Sequence, residues 1–296
     1  MIFLPHVLRK IIHPLVSHSS TYFAGMVFIR IARKIRKRIN AKNGDKVDFV
    51  QINNFASNIK MEVDKYSYMG GSIYWTGYHQ LNELLYINKI LQKDMTFIDV
   101  GANQGEFTLF AAKRLTEGTI ISFEPVKSNL ISLKKNIEIN AFNNVEIVAK
   151  GLYNEKKNLP VYTSFDNQLQ GGRNEGLSTI FPDNYRKDLE QIIELIPFDD
   201  YYYDQLKRFD FLKIDIEGAE LFALQGMKKS IEKFHPQILM EINATTSKNA
   251  GYEVDELITY LSDLGYKSYV IIRGELREMN YTSNLEWDNF IFKYSA

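Results

Sequence analysis

The 296-residue chain contains no cysteine. Disulfide frameworks, thiolate-ligated zinc, iron–sulfur clusters and thiol nucleophiles are excluded together, and a reducing compartment is compatible with that composition. Histidine is scarce, at five residues, and none is ordered with an Asp and a Ser around a nucleophile turn, so hydrolase chemistry has no support. No apolar run reaches the roughly 18–20 residues needed to span a bilayer. Arg9 and Lys10 interrupt the first apolar stretch, and Arg30 and Arg33 the second. A secretory signal is not expected either, because the charges follow the apolar segment and no A-x-A-like site appears. Internal repeats and low-complexity tracts are missing as well. The location expected from these absences is cytoplasmic.

What is present is a globular composition, 45% hydrophobic and 24% charged, in a chain long enough to bury about three quarters of its unfolded surface. The net charge of zero is unevenly placed. Residues 1–46 hold ten Lys and Arg against Asp45 alone, and the remainder carries the opposite excess of acid. An acidic body without a basic stripe excludes nucleic acid as the expected partner. The basic segment is amphipathic. Leu4, Val7, Leu8, Ile11, Ile12 and Leu15 recur at helical spacing until Pro14 disturbs the pattern, and Phe28, Ile31, Ile35 and Ile39 repeat it. Such a helix either lies on anionic lipid as a peripheral membrane contact or packs on the body with a solvated Lys/Arg face. The boundaries expected are a basic helical extension over 1–46 and one domain over 47–296.

Two short strands, Val47–Ile52 and Ile59–Val63, are predicted around a turn at Asn53-Asn54, followed by a Gly70-Gly71 turn and a helix from Gln80 to Leu91. Seven strands follow, at Thr96–Val100, Thr119–Phe123, Val145–Ala149, Phe211–Asp215, Gln237–Ile242, Ser268–Ile272 and Asn289–Lys293. Helices are predicted at Gly105–Leu115, Lys127–Ile139, Ala219–Phe234 and Val254–Leu264. Apolar strands alternating with helices give an α/β, doubly wound, mostly parallel sheet covered on both faces. The stretch between Ala149 and Phe211 reads as an irregular insert, with Gly171-Gly172 and Gly176 marking loops.

The first of these strands runs into Asp99-Val-Gly-Ala-Asn-Gln-Gly105 and then directly into a helix. Glycines there let the backbone close on a ligand, and the helix start offers unpaired N–H donors. Asp99 at the strand end suits a ligand amine and suits a pyrophosphate badly. After the second strand stands Glu124, in Phe123-Glu124-Pro125, where an acid can accept hydrogen bonds from both ribose hydroxyls. Asn103 occupies the place of the middle glycine of the dinucleotide fingerprint. With Asp99 before the turn, this favours S-adenosylmethionine, whose amino-acid end is zwitterionic, over NAD.

These blocks, together with Asp210-Phe-Leu-Lys-Ile-Asp-Ile-Glu-Gly-Ala-Glu220, resemble the signature of the FkbM family of methyltransferases. Pro197-Phe198-Asp199-Asp200 is similar to the family's Leu-Asp-Asp element, with Phe198 in place of leucine. Tyr74-Trp75-Thr76-Gly77 is similar to its lead-in, with His79 where an acid is usual. The resemblance covers about Lys60 to Asn243 and leaves the first 45 residues outside. It implies a seven-stranded, Rossmann-like S-adenosylmethionine-dependent fold and O-methylation of a sugar, glycan or hydroxylated natural product. It also implies that Asp99, Gly101, Asn103, Gly105 and Glu124 bind the cofactor.

Methyl transfer to an alcohol requires removal of its proton, and a carboxylate within hydrogen-bond reach serves as general base. Asp215, at the end of the fourth strand, is the first candidate and Glu217 the second; a simple helix-capping role is the alternative for Asp215. A magnesium ion held by Asp215, Glu241 and Asn243 is a less favoured variant, and no residue is assigned as a metal ligand. Two other function classes compete. One is an NAD-type oxidoreductase on the same fold class, and the other is a non-catalytic interaction module that retains the fold.

Overall fold

The computed structural model describes residues 3–43, 46–163, 178–279 and 287–295. The amino-terminal extension is a pair of helices, α1 (Phe3–Val16) and α2 (Tyr22–Asn40). A hairpin of β1 (Phe49–Phe55) and β2 (Ile59–Asp64) follows, then helices α3 (Tyr68–Thr76) and α4 (Leu81–Ile90). Strands and helices then alternate as β3 (Thr96–Val100), α5 (Glu106–Ala112), β4 (Thr119–Phe123), α6 (Lys127–Glu138) and β5 (Val145–Val148). Next come β6 (Gly151–Leu152), β7 (Lys157–Thr163), β8 (Asp188–Ile196) and the short α7 (Asp199–Tyr202). The chain continues through β9 (Phe211–Ile214), α8 (Glu220–Gly226), α9 (Lys228–Phe234), β10 (Gln237–Asn243), α10 (Ala244–Asn249) and α11 (Val254–Asp263). It ends in β11 (Tyr266–Ile272), β12 (Glu275–Glu278) and β13 (Trp287–Tyr294).

The central sheet has eight strands in the order β12-β11-β13-β10-β9-β3-β4-β5. Pairing is parallel from β5 through to β10, and β13 is antiparallel to both of its neighbours. The expected doubly wound, mostly parallel sheet is present, with one strand more than the seven predicted. The addition is β12, which folds back on β11 through Arg273-Gly274, both at positive φ. Two successive left-handed residues make the tight turn whose twist matches antiparallel strands. All residues of β3 and β9 are buried. These two strands pair with each other although the chain leaves β3 toward β4 on one side and returns to β9 on the other. Such a reversal opens a crevice at the carboxyl ends of the strands, where ligands bind in open α/β sheets.

Several local expectations are corrected. The β1–β2 turn lies at Ala56-Ser57, both at positive φ, and not at Asn53-Asn54, which lie within β1 where its register with β2 shifts. Gly70 and Gly71 sit inside α3 and form no turn. They are small because β2 and its following loop press on the helix: a Cβ on Gly70 would lie 2.4 Å from the Asp64 carbonyl oxygen. Ser67 caps this helix by accepting from the Gly70 amide. The single helix predicted over Ala219–Phe234 is two, α8 and α9, broken at Met227, whose φ of −122° leaves the helical region. Helix α1 continues through Pro14 to Val16, since a proline in the last turn removes only one donor. The insert carries a three-stranded sheet, β6-β8-β7, instead of irregular structure. Gly171-Gly172 and Gly176 lie outside the described residues.

The amino-terminal helices are built into the same core as the body. Leu8, Ile12, Val16, Ile29 and Ala32 belong to one buried cluster with Ile73, Trp75, Phe97 and Phe110. Burying side chains of this size contributes about 1.5–3 kcal/mol each. Arg9 is buried too, donating to Asn54 Oδ1 at 2.7 Å and to the Tyr74 carbonyl.

Candidate active site

Two backbone loops build the site at the carboxyl ends of β3 and β9. In the first, Gly101 stands at φ +77° and Asn103 at φ +49°. The Gly101 and Ala102 amides both donate to the Phe123 carbonyl, closing the turn against β4. In the second, Glu217 at φ +54° and Gly218 at φ +106° turn the chain out of β9. Glu220 closes this loop by accepting from the Ile216 and Gly218 amides, and Tyr252 donates its hydroxyl to the same carboxylate. The two loops touch: a Cβ on Gly101 would lie 2.0 Å from the Asp215 carbonyl oxygen. Only glycine permits both that approach and that φ.

A cavity of about 970 Å³ opens over these loops. That is the upper end of the usual range for ligand sites, roughly 300–1,000 Å³. At one end it is walled by Gly101, Asn103, Glu124, Val126, Leu152 and Val161, and at the other by Tyr22, Arg33, Arg36, Tyr68 and His79. Glu124 accepts from the Asn103 and Val126 amides, each at 2.8 Å, and from Asn129 Nδ2 at 3.5 Å. Burial pushes its pKa up to about 7 against the pull of those donors. Its Oε1 accepts two of these bonds and its Oε2 one, so Oε2 keeps acceptor capacity for a ribose hydroxyl. Beside it the Asn103 Oδ1 is buried without a hydrogen-bond partner. An orphaned acceptor, a carboxylate behind a glycine turn and the apolar wall of Val126, Leu152 and Val161 match the amine, ribose and base of S-adenosylmethionine in turn.

Asp99 is placed differently from Gly101, Asn103 and Glu124. It is fully buried beneath the cavity and is not part of its lining. Its Oδ2 accepts from Thr108 at 2.6 Å and its Oδ1 lies 3.7 Å from Lys213 Nζ. Its carboxylate holds the floor and does not face the cavity. Gly105 is likewise outside the lining; it starts α5 at φ +100°, and a Cβ there would strike Leu133 at 2.8 Å.

Between the two ends of the cavity stand Asp215, Glu217 and Glu241, with carboxylate oxygens within 4.8 Å of one another. Three negative charges in that space are costly, so protons or cations must compensate them. Asp215 above all, and then burial, pushes Glu241 up to about 10. Burial, then Asp215, pushes Glu217 up to about 8 despite its 2.8 Å ion pair with Arg186. Arg186 in turn is gripped by Asp183 at 2.7 Å, and although burial opposes its charge, Glu217 and Asp183 raise its pKa. Lys213 supplies the central cation. Its Nζ is 3.7 Å from Asp215 Oδ2 and donates to the Gly101 carbonyl at 2.9 Å. Burial works against its charge, but Asp215, Asp99 and Glu241 outweigh it and raise its pKa.

The structure therefore brings Asp215 and Glu217 together as expected and adds Glu241 to them. The magnesium set of Asp215, Glu241 and Asn243 is not assembled. Asn243 instead caps α10, its Oδ1 accepting from the Thr245 and Thr246 amides. Sequence reasoning passed over three further residues, Lys213, Arg186 and Glu106. Lys213 stands two positions before Asp215, so strand alternation puts both on one face, a signal that was available. Arg186 comes from the insert, and no local pattern pointed to it. Glu106 accepts from the His79 and Gln80 amides at 2.8 and 3.2 Å, and burial pushes it up to about 7. His79 itself is pushed down to about 4, by burial first and then Arg36, and is neutral at pH 7.

One family model matches the chain. The model of the methyltransferase FkbM domain matches residues 99–268. Methyltransferase sdnD of Sordaria araneosa is 27% identical over 199 residues, covering 57% of this chain and 72% of the relative. Methyltransferase 1 of Beauveria bassiana is 25% identical over 153 residues, covering 45% of this chain and 59% of that relative's own length. Among solved structures, methyltransferase FkbM from Methylobacillus flagellatus aligns with a TM-score of 0.45 at 18% identity, over 69% of this chain and 44% of that one.

Proposed function

Because the chain belongs to the FkbM methyltransferase family, we propose that it is an S-adenosylmethionine-dependent O-methyltransferase acting on a hydroxyl of a sugar, glycan or hydroxylated natural product. The observation that carries this reading is the cluster of Asp215, Glu217 and Glu241 beside a cradle fitted to a nucleoside. When bound, S-adenosylmethionine supplies an electrophilic methyl group on a sulfonium. Glu124 accepts from the ribose hydroxyls, and Gly101 lets the backbone approach. Asp215 would hydrogen-bond the acceptor hydroxyl and take its proton during transfer. Glu241 keeps its own proton at neutral pH, which leaves the negative charge on the residue that must act as base. Lys213 and Arg186 balance that charge from beneath and beside it.

The test is calorimetric titration with S-adenosylhomocysteine, followed by a methyl-acceptance screen of sugars and hydroxylated small molecules. Asp215→Asn is expected to keep cofactor affinity and to lose about 100- to 10,000-fold in transfer rate, the usual worth of a general base. Glu124→Ala is expected to lose the cofactor itself. Binding of NADH with none of S-adenosylhomocysteine would replace this reading by the oxidoreductase one.

A further inference from the structure

Helix α2 presents three faces with three different surroundings. Gly25, Ala32 and the half-buried Phe28, Ile35 and Ile39 turn inward to the core. Tyr22, Met26, Arg33 and Arg36 border the cavity. The third face carries Phe23, Val27 and Ile31 followed by Lys34 and Arg38, with Arg30 and Lys37 alongside, a continuous stripe at helical spacing. All seven of these side chains are exposed, Phe23 to 72%. Helix α1 continues the surface with Phe3, 79% exposed, and with Leu4, Lys10 and Ile11. Both helices rest on α3, and Phe23, Val27 and Arg30 also border a shallow groove against Ile271, Ile272 and Arg273.

The chemistry of this face is uniform. No Asp or Glu occurs before Asp45. Among the described residues, Lys10, Arg30, Lys34, Lys37 and Arg38 have no ion-pair or side-chain hydrogen-bond partner. Exposed aromatic and aliphatic side chains interleaved with unpaired cations are what an anionic bilayer surface accommodates: apolar groups enter the headgroup boundary while the cations meet lipid phosphates. A docking protein would have to be both acidic and apolar over the length of two helices. No helix here is long and apolar enough to cross a membrane, among the described residues, so the contact is one that lies on the surface.

We propose that the outer face of the α1–α2 hairpin docks on an anionic lipid bilayer, seating the chain with the Tyr22, Met26 and Arg33 edge of its cavity next to the membrane. The docking stands on the hairpin alone and does not depend on the methyl-transfer reading.

The full chain is tested by cosedimentation with vesicles of phosphatidylcholine alone and of phosphatidylcholine mixed with phosphatidylglycerol. Binding is expected only to the mixed vesicles, weakening with added salt. Phe23→Ser/Val27→Ser/Ile31→Ser and Lys34→Glu/Lys37→Glu/Arg38→Glu are each expected to lower that affinity about tenfold or more. Because these side chains are exposed, the circular dichroism spectra and melting temperatures of both variants should match the parent, which separates lost docking from lost folding. A parent chain that stays in the supernatant with phosphatidylglycerol, or folded variants that bind as it does, overturns the proposal. So does a parent that ignores vesicles but self-associates through this face, with the serine variant monomeric; a second copy of the chain is then the occupant.

Discussion

Replacing Lys213 by methionine removes the one charge that holds both loops of the site. The side chain is 6% exposed. Its Nζ lies 3.7 Å from both Asp99 and Asp215 and donates to the Gly101 carbonyl at 2.9 Å. Methionine fills nearly the same volume, so packing is kept while two carboxylates and a carbonyl lose their cation. Removing one partner of a buried pair costs about 3–5 kcal/mol. At roughly 2–4 °C per kcal/mol for a domain of this order of size, the melting temperature should fall by about 6–20 °C. The loss should depend on pH. Burial raises the pKa of Asp99 while Lys213 holds it back, so its carboxyl should rise further without Lys213. The deficit of the variant relative to the parent should therefore be smaller at about pH 6 than at about pH 8. Adding Asp99→Asn to Lys213→Met removes one orphaned charge and should return about half of the lost stability. Thermal unfolding by circular dichroism at both pH values measures all three chains. If Lys213→Met melts within about a degree of the parent at both, the cluster is not held by this cation and the reasoning fails.

The acid cluster makes a second prediction, for the protein without ligand. Glu217 at about 8 and Glu241 at about 10 hold protons in the folded state that the unfolded chain has lost, so stability should decline from pH 7 to pH 9. Melting temperatures that stay level over that range, or a decline that persists unchanged in Glu241→Gln, contradict the assignment. Gly101→Ala adds a Cβ 2.0 Å from the Asp215 carbonyl at a φ of +77°. Overpacking and left-handed strain together should cost about 3 kcal/mol, and spreading the two loops should abolish S-adenosylhomocysteine binding in calorimetry even where the variant remains folded.

The elements easiest to read in advance were those whose pattern and burial agree. β3, β4, α6 and α11 lie within a residue of their predicted bounds, because a fully buried strand is a short apolar run and a half-buried helix shows its period. The errors fall where tertiary contact overrides local preference. Gly70-Gly71 has the composition of a turn, yet the pair is helical because β2 and its loop leave no room for a Cβ. The β-sheet of the insert was hidden because its strands pair across a long stretch of chain and show little alternation. The glycine turn, Glu124 and the Asp215–Glu217 pair were legible, since each follows directly from a strand end and its turn.

Sequence alone determined the alternating architecture, the nucleoside-type corner after β3 and the uneven charge of the chain, because periodicity, turn residues and charge are local properties. Tertiary structure decided the rest. It sank Asp99 beneath the cavity, joined Lys213, Arg186 and Glu241 to the expected carboxylates, and gave Asn243 to a helix cap. It also set one face of α2 against the core, a second beside the cavity and a third toward solvent. The physical reason is the same in each case. The charge state and reach of a side chain depend on burial and on neighbours brought from distant parts of the chain, and those neighbours are chosen only when the sheet closes around its switch point.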